Sequence, residues 1–158
     1  CEYGTVEVEK LCDLEEHYLG EKLNSDTKIL DICTGTGGFL IAGLNRIDKN
    51  IDNMMISDEA KNKLKKDARE RSLIGVEKEP EMFALAYANM RFHGDGKSNL
   101  FSCSSLLRDK EVNGVIDEKD GEKVYLQDVL ERIKPKLGMI NPPYSLSDNE
   151  KKKNKNKI

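Results

Sequence analysis

The chain has 158 residues, 37% hydrophobic and 35% charged, with no Trp and 6% aromatics, which is the size of one domain with a single, rather polar core. Its longest nearly apolar stretch, Met82 to Met90, is nine residues interrupted by Asn89, far short of the ~20 that cross a bilayer, so no membrane span is expected. Net charge is -3, but the last nine residues, Glu150 to Ile158, contribute +4 and leave -7 on the rest, a field that argues against strong nucleic-acid binding by this body alone.

The chain opens on Cys1 with no initiator Met and no signal peptide, as expected of a fragment. Leu11, Leu14 and Tyr18 fall on one helical face within Val6 to Leu19, Gly20 is placed to end that helix, and acidic residues occupy the rest of its surface. Lys28 to Cys33 (KILDIC) is a short apolar run that stops at Thr34-Gly35, the pattern of a buried strand entering a tight glycine turn, and Gly37 to Arg46 reads as the next helix. The charge-dense stretch from Asp48 to Ser72 contains Ser57 ahead of Asp58 and Glu59, an N-cap followed by first-turn acids, and Lys61 to Arg71 continue as an exposed helix.

Ser72 to Glu77 (SLIGVE) predicts a second buried strand. Pro80 then opens a helix whose Met82, Phe83, Ala86 and Met90 share a face, with Gly94 after its end. Asn99 to Cys103 reads as a third strand, and Val112 to Tyr125, with Asn113-Gly114 and Asp120-Gly121, as a small hairpin. Leu126 to Ile133 is a short helix ended by Pro135, and Leu137 to Ile140 a fourth strand that delivers Asn141-Pro142-Pro143-Tyr144. Strand and helix in alternation predict an α/β fold, a parallel sheet with right-handed crossovers and helices on both faces, whose ligands bind at the carboxyl ends of the strands. The final residues, EKKKNKNKI, have no periodicity and predict disorder.

Two acids and one turn carry the candidate chemistry. Asp31-Ile-Cys-Thr34-Gly35-Thr36-Gly37-Gly38-Phe39 places an acid at a strand end ahead of a glycine loop that opens a helix. No Lys follows Gly38, which excludes a P-loop, and Leu40 stands where a dinucleotide loop needs its third Gly. A ligand bearing a cationic amine or sulfonium fits beside Asp31 better than one bearing phosphates, while a tight turn with no ligand remains open on spacing alone. Glu77, at the next strand end, is placed to accept hydrogen bonds from both hydroxyls of a ribose, or is a solvated strand-end charge. The two prolines of Asn141-Pro142-Pro143-Tyr144 remove two backbone donors and stiffen the turn, leaving the Asn141 side-chain oxygen and the Pro142 carbonyl to accept the two N–H groups of an exocyclic amine. Tyr144 offers an aromatic face for a planar base, although the same tetrapeptide could be a plain rigid turn. Cys1, Cys12, Cys33 and Cys103 form no C-x-x-C pair, which argues against zinc and for free buried thiols in a reducing cytoplasm. His17 and His93 read as surface or helix-end residues rather than acid-base catalysts.

The runs DICTGTGGFL (31–40), GVEKEPEMFALAYANMRFHGDGKSNLF (75–101) and GMINPPYS (138–145), in this order, resemble the N6-adenine DNA methyltransferase family, specifically the modification subunit of type I restriction-modification systems, with HGDGKSNL narrowing the field to that subfamily. The resemblance implies an incomplete class I S-adenosylmethionine-dependent methyltransferase fold of about four strands and a small hairpin: a partial catalytic domain over 1–147, then a Lys/Asn-rich tail over 148–158. It further implies S-adenosylmethionine as methyl donor, a flipped-out adenine of duplex DNA as acceptor, a specificity subunit and a restriction subunit as partners, and no metal, in the cytoplasm. Asp31, Thr34, Gly35, Thr36, Gly37, Gly38 and Phe39 match the cofactor loop, Glu77 the ribose acid, and Asn141, Pro142, Pro143 and Tyr144 the catalytic loop. Gly4-Thr5-Val6 departs from the family's Phe-Thr-Pro-like signature, and Cys103-Ser104-Ser105 from its frequent Gly-Asp-Ser. A protein glutamine methyltransferase and a truncated, non-catalytic assembly module with the same fold are the alternative readings.

Overall fold

The structure, a computed structural model, describes residues 2–94, 99–105, 115–119 and 122–142. In chain order these form α1 (Glu2–Leu19), β1 (Ile29–Asp31), α2 (Gly38–Asp52), α3 (Asp58–Arg71), β2 (Leu73–Glu77), α4 (Pro80–Phe92), β3 (Asn99–Ser102), β4 (Val115–Lys119), β5 (Glu122–Tyr125), α5 (Leu126–Ile133) and β6 (Leu137–Met139). Four strands make one parallel sheet in the order β3-β2-β1-β6, and β4 and β5 pair separately as an antiparallel hairpin. This is the α/β architecture expected from strand-helix alternation. The order reverses at β1: β2 and β3 step away on one side, and the chain returns to lay β6 on the other. The carboxyl ends of β1 and β6 therefore flank the switch point at which open sheets of this kind bind ligands.

Register fixes which side chains share a face. Ile29 and Asp31 of β1 lie opposite Leu73 and Gly75 of β2 and opposite Leu137 and Met139 of β6. Alternation sends these residues, and Glu77 two places beyond Gly75, to one side of the sheet. Ile29, Leu73, Leu137 and Met139 are buried there with Leu40, Leu44, Ile47 and Ile51 of α2, Met90 of α4, and Val8 and Cys12 of α1. Ile74 and Val76 point to the opposite face and are also buried; the right-handed crossover rule puts α5, the helix before β6, on that face.

Three helices depart from their expected form. The apolar stripe of α2 continues through Ile47 and Ile51, so the helix runs to Asp52 rather than stopping at Arg46. In α4, Ala86 and Met90 are buried, whereas Met82 and Phe83 are half-buried. In α1 the expected apolar face is the wrong one: Leu11, Leu14 and Tyr18 are 45%, 55% and 84% exposed, and Val8, Cys12 and Glu16 face the core. The reason is electrostatic. Glu16 accepts hydrogen bonds from Arg46 Nε (3.1 Å) and Nη2, Asn50 Nδ2 (2.6 Å), Lys22 Nζ (3.0 Å) and Leu23 N (3.1 Å). A carboxylate so supplied can be buried, and it turns the helix by its charge rather than by its leucines.

Elsewhere the expectations hold. Ser57 caps α3 and accepts Ala60 N–H at 3.3 Å. Pro80 occupies the first turn of α4, and α5 spans Leu126–Ile133. The hairpin strands pair with Lys119 opposite Glu122; the Asn113-Gly114 and Asp120-Gly121 turns, Cys1 and the tail expected over 148–158 lie outside the described residues.

Burial pushes the Glu16 carboxyl up, but the hydrogen bonds of Arg46, Asn50, Lys22 and Leu23 outweigh it and hold the group near 2, below its ordinary 4.5. A depressed carboxyl contributes stability above its unfolded value and loses it as pH falls through the folded one. Urea unfolding should therefore show stability declining between about pH 4.5 and 2. Glu16→Ala, which strips the half-buried Arg46 of its main partner, should lower stability at pH 7 by about 3 kcal/mol and flatten that acid limb; an unchanged limb would refute the network.

Candidate active site

The turn after β1 is tied down on every side. Thr34 N–H reaches Val76 O of β2 (3.1 Å), and its hydroxyl donates to Asp31 O (2.9 Å). Gly35 N–H donates to Glu77 Oε2 (2.8 Å), Gly37 N–H closes the turn on Thr34 O (2.8 Å), and Ile41 N–H starts α2 on Gly37 O (3.0 Å). Gly35 and Gly37 take φ of +54 and +83, values that side chains with a Cβ rarely adopt, so both positions need glycine. Gly75 is required for another reason. A Cβ there would stand 2.7 Å from Thr34 Oγ1 and 2.4 Å from Leu100 Cδ2, and its absence lets the turn settle against β2. Within SLIGVE only the glycine itself, in an otherwise apolar strand, signals such a close approach.

Asp31 and Glu77 end up on one face of neighbouring strands. Asp31 is 1% exposed; its Oδ1 accepts Cys33 N–H at 3.0 Å, and its Oδ2 has no hydrogen-bond partner among the described residues. Burial pushes this carboxyl up to about 6, Cys33 N–H opposes the rise, and the negative charge of Glu77 adds to it. Glu77 is half-buried and accepts one backbone N–H on each oxygen, Gly35 on Oε2 and Glu79 on Oε1 (2.9 Å). Each oxygen keeps a second lone pair for a further donor. Cys33 lies beside both acids; burial raises its thiol, and a hydrogen bond with Ser105 acts against the rise. Ser105 follows β3 and so spans the end of β2 to reach the turn after β1.

The remaining predicted residues fall as follows. Thr34 and Gly37 are buried, Thr36 and Gly38 are exposed, and Phe39 is half-buried against the hydrophobic core. Asn141 and Pro142 are exposed, two and three residues beyond β6, whose Met139 is in register with Asp31. The catalytic-loop candidates thus start beside the glycine turn. Pro143 and Tyr144 lie outside the described residues. His17 and His93 are exposed, His93 at the end of α4. Two clefts lie elsewhere: one of about 410 Å³ at the end of α1 and the loop after it, lined by Asp13, Glu16 and Lys22 among others, and one of about 490 Å³ between α1 and the second half of α2, lined by Asp13, Lys22, Arg46 and Asn50 among others. They are at the end of the sheet opposite the glycine turn, and the Glu16 carboxylate in the first is consumed by the α1–α2 link. Arrangement and electrostatics therefore favour the β1–β6 switch point as the candidate site, with a buried carboxylate oxygen unpartnered among the described residues and a second acid beside it.

Comparison with known proteins bears on this constellation. A family model described as N-6 DNA Methylase matches residues 9–158. The Type II restriction enzyme and methyltransferase RM.BcgI of Heyndrickxia coagulans is 30% identical over 128 residues, 81% of this chain and 16% of that protein. A solved structure, that of a nuclease-deletion mutant of the Type ISP restriction-modification enzyme LlaGI in complex with a DNA substrate mimic, shares the fold with a TM-score of 0.53 at 22% identity, over 85% of this chain and 11% of that one. The chain thus spans only a small part of the length of either.

Asp31 yields a pH signature. Its folded value, about 6, lies above its ordinary 3.8, so the folded state holds the proton longer, and stability falls as pH rises from about 4 through 6. The loss should be on the order of 2–3 kcal/mol. In urea unfolding, Asp31→Asn should gain relative to the parent across that window and level off above it; a difference that does not change with pH would contradict the burial of an unpaired oxygen.

Proposed function

Because the chain belongs to the N-6 DNA methylase family, we propose that it is the cofactor-binding and catalytic-loop portion of a DNA adenine N6-methyltransferase of the type I modification-subunit kind, using S-adenosylmethionine. The observation that carries this reading is the register of β6 on β1, which starts Asn141-Pro142 beside the turn that holds Asp31 and Gly35.

The residues present fit the donor. Asp31 Oδ2 is buried without a hydrogen-bond partner among the described residues, which suits a cationic group; Glu77 retains a lone pair on each oxygen, which suits the two hydroxyls of a ribose; and the turn of Gly35 and Gly37 lets a ligand approach the backbone closely. Bound there, S-adenosylmethionine supplies a methyl carbon activated by a positively charged sulfur. The contribution of this chain is then positional. Asn141 Oδ1 and the Pro142 carbonyl accept the two N–H groups of the exocyclic amine, which draws the nitrogen toward tetrahedral geometry and frees its lone pair, while Pro142 and Pro143 restrict the turn that holds them. Tyr144 stacks on the flipped base. The -7 charge of the body repels phosphate, so in this reading the duplex is held largely by other segments of the protein and by a specificity subunit, with a restriction subunit completing the complex.

Titration calorimetry of the chain with S-adenosylmethionine is the direct test. Saturable binding that is abolished in Asp31→Ala and in Glu77→Ala supports the pocket; no heat at millimolar ligand sinks it. In the intact enzyme, Asn141→Ala should eliminate methyl transfer and leave cofactor affinity within about threefold, since the interactions it removes are made with the acceptor. A parallel loss of affinity would make Asn141 a structural residue.

A further inference from the structure

Asn89 interrupts the apolar run of α4, and nothing in the reading above uses it. The structure gives it a partner far away in sequence: its Nδ2 donates to Thr36 O, in the glycine turn, at 3.0 Å across 53 residues. The Thr36–Gly37 peptide is trans and planar, so its carbonyl and its N–H point in opposite directions. The N–H is returned to Thr34 O at 2.8 Å, and the carbonyl is taken by Asn89. The peptide plane is therefore held at both edges. It is also the plane most in need of holding, because Gly37 follows it at φ +83, ψ 9, and glycine offers the least resistance to rotation of an adjoining peptide. Met90 and Ala86, from the same helix, come no closer than 3.5 Å to the place a Gly37 Cβ would occupy, so packing alone is a loose restraint.

We propose that Asn89 is a positioning residue for methyl-donor binding, which holds the Thr36–Gly37 peptide in the one orientation that keeps the cofactor turn open, acting through the turn without touching the ligand. This rests on the reading of the turn as a cofactor cradle. Rotation of the plane would swing the Thr36 carbonyl oxygen out of its contact with α4, unseat Gly37 N–H from Thr34, and redirect the first N–H groups of α2, which have no intrahelical acceptor. Asn89 thereby joins the start of α2 to α4 at the point where the proposed ligand lies against the backbone, while Glu77 does the same one residue earlier from β2. Asn89 is half-buried and its bond to Thr36 O is solvent-exposed, so its loss costs the fold little and is read in the order of the turn rather than in global stability.

Three variants separate positioning from simple structural support. Asn89→Leu removes the donor, Asn89→Asp keeps the shape but presents oxygen to the Thr36 carbonyl, and Asn89→Gln keeps an amide. In the chain itself, amide hydrogen exchange should quicken over residues 35–38 in the Leu and Asp variants and stay at the parent rate in the rest of β1, β2 and α2. Affinity for S-adenosylhomocysteine by calorimetry should weaken about five- to tenfold, with the melting temperature within about 3 °C of the parent, and Asn89→Gln should recover most of the affinity. Exchange and affinity unchanged in the Leu and Asp variants, while the parent binds, overturn the inference alone. Fast exchange throughout the sheet with a large fall in melting temperature also overturns it, because Asn89 would then be supporting the whole fold. A parent chain that takes up no S-adenosylhomocysteine overturns the cofactor reading first and this inference with it.

Discussion

The turn between β1 and α2 depends on a carboxylate that arrives from the next strand. A chain leaving a sheet in a tight turn carries backbone N–H and C=O groups that no ladder can satisfy, and those shut away from water must find partners, while exposed ones such as Thr36 O are held in place by theirs. Glu77 takes Gly35 N–H, Val76 takes Thr34 N–H, the turn itself takes Gly37 N–H, and Asn89 supplies the donor for Thr36 O. These partners come from β2 and α4, so the turn has its shape only when the sheet and the helix are assembled around it. Gly75 belongs to the same constraint, since any side chain there would push Thr34 out of its seat. In the proposed function Glu77 thereby has two tasks, holding the turn through Oε2 and the start of α4 through Oε1, and offering the second lone pair of each oxygen to a ligand.

Two buried carboxylates at opposite ends of the sheet are treated in opposite ways. Glu16 collects five hydrogen bonds from Arg46, Asn50, Lys22 and Leu23 and stays ionised far into acid. Asp31 collects one, from Cys33, and is pushed up to about 6. Burial disfavours the charge in both cases; the several donors of Glu16, two of them cationic, outweigh it, whereas the single N–H on Asp31 does not and the charge of Glu77 adds to the rise. A fully supplied carboxylate fastens α1 to α2, whereas an undersupplied one is what the proposed function gives a ligand to meet. Unsatisfied groups of this kind, kept at a cost in stability, gather where molecules bind. The apolar stretches of the fold are short, with three residues in β1 and three in β6, and the charged fastening of α1 compensates by tying the helix across the end of the sheet that does not face the proposed site.

Most of the chain order was legible in the residues because it rests on local chemistry. The apolar runs at 28–33, 72–77 and 137–140, inside which the strands form, the Pro80 and Ser57 helix starts, and the turn glycines each express a preference that acts within a few residues. Periodicity failed where a long-range partner overrode it. Glu16 reads as a surface acid and Leu11, Leu14 and Tyr18 read as a core stripe, until Arg46 and Asn50, 30 and 34 residues on, reverse the two faces. The same limit hid Asn89, which in sequence only spoils an apolar run.

What the residues determined alone was the alternation of strand and helix, and hence a parallel sheet, the acid-ended strands at Asp31 and Glu77, and the proline-stiffened turn from Asn141. All of these follow from hydrophobic pattern and backbone preference. Only the tertiary structure decided that β6 lies against β1 rather than beyond β3, that Asp31 keeps a buried oxygen without a partner among the described residues, and that the glycine turn is pinned from β2 and α4. Strand order, burial and hydrogen-bond supply are sums over contacts between residues distant in sequence, and no window along the chain contains both members of such a contact.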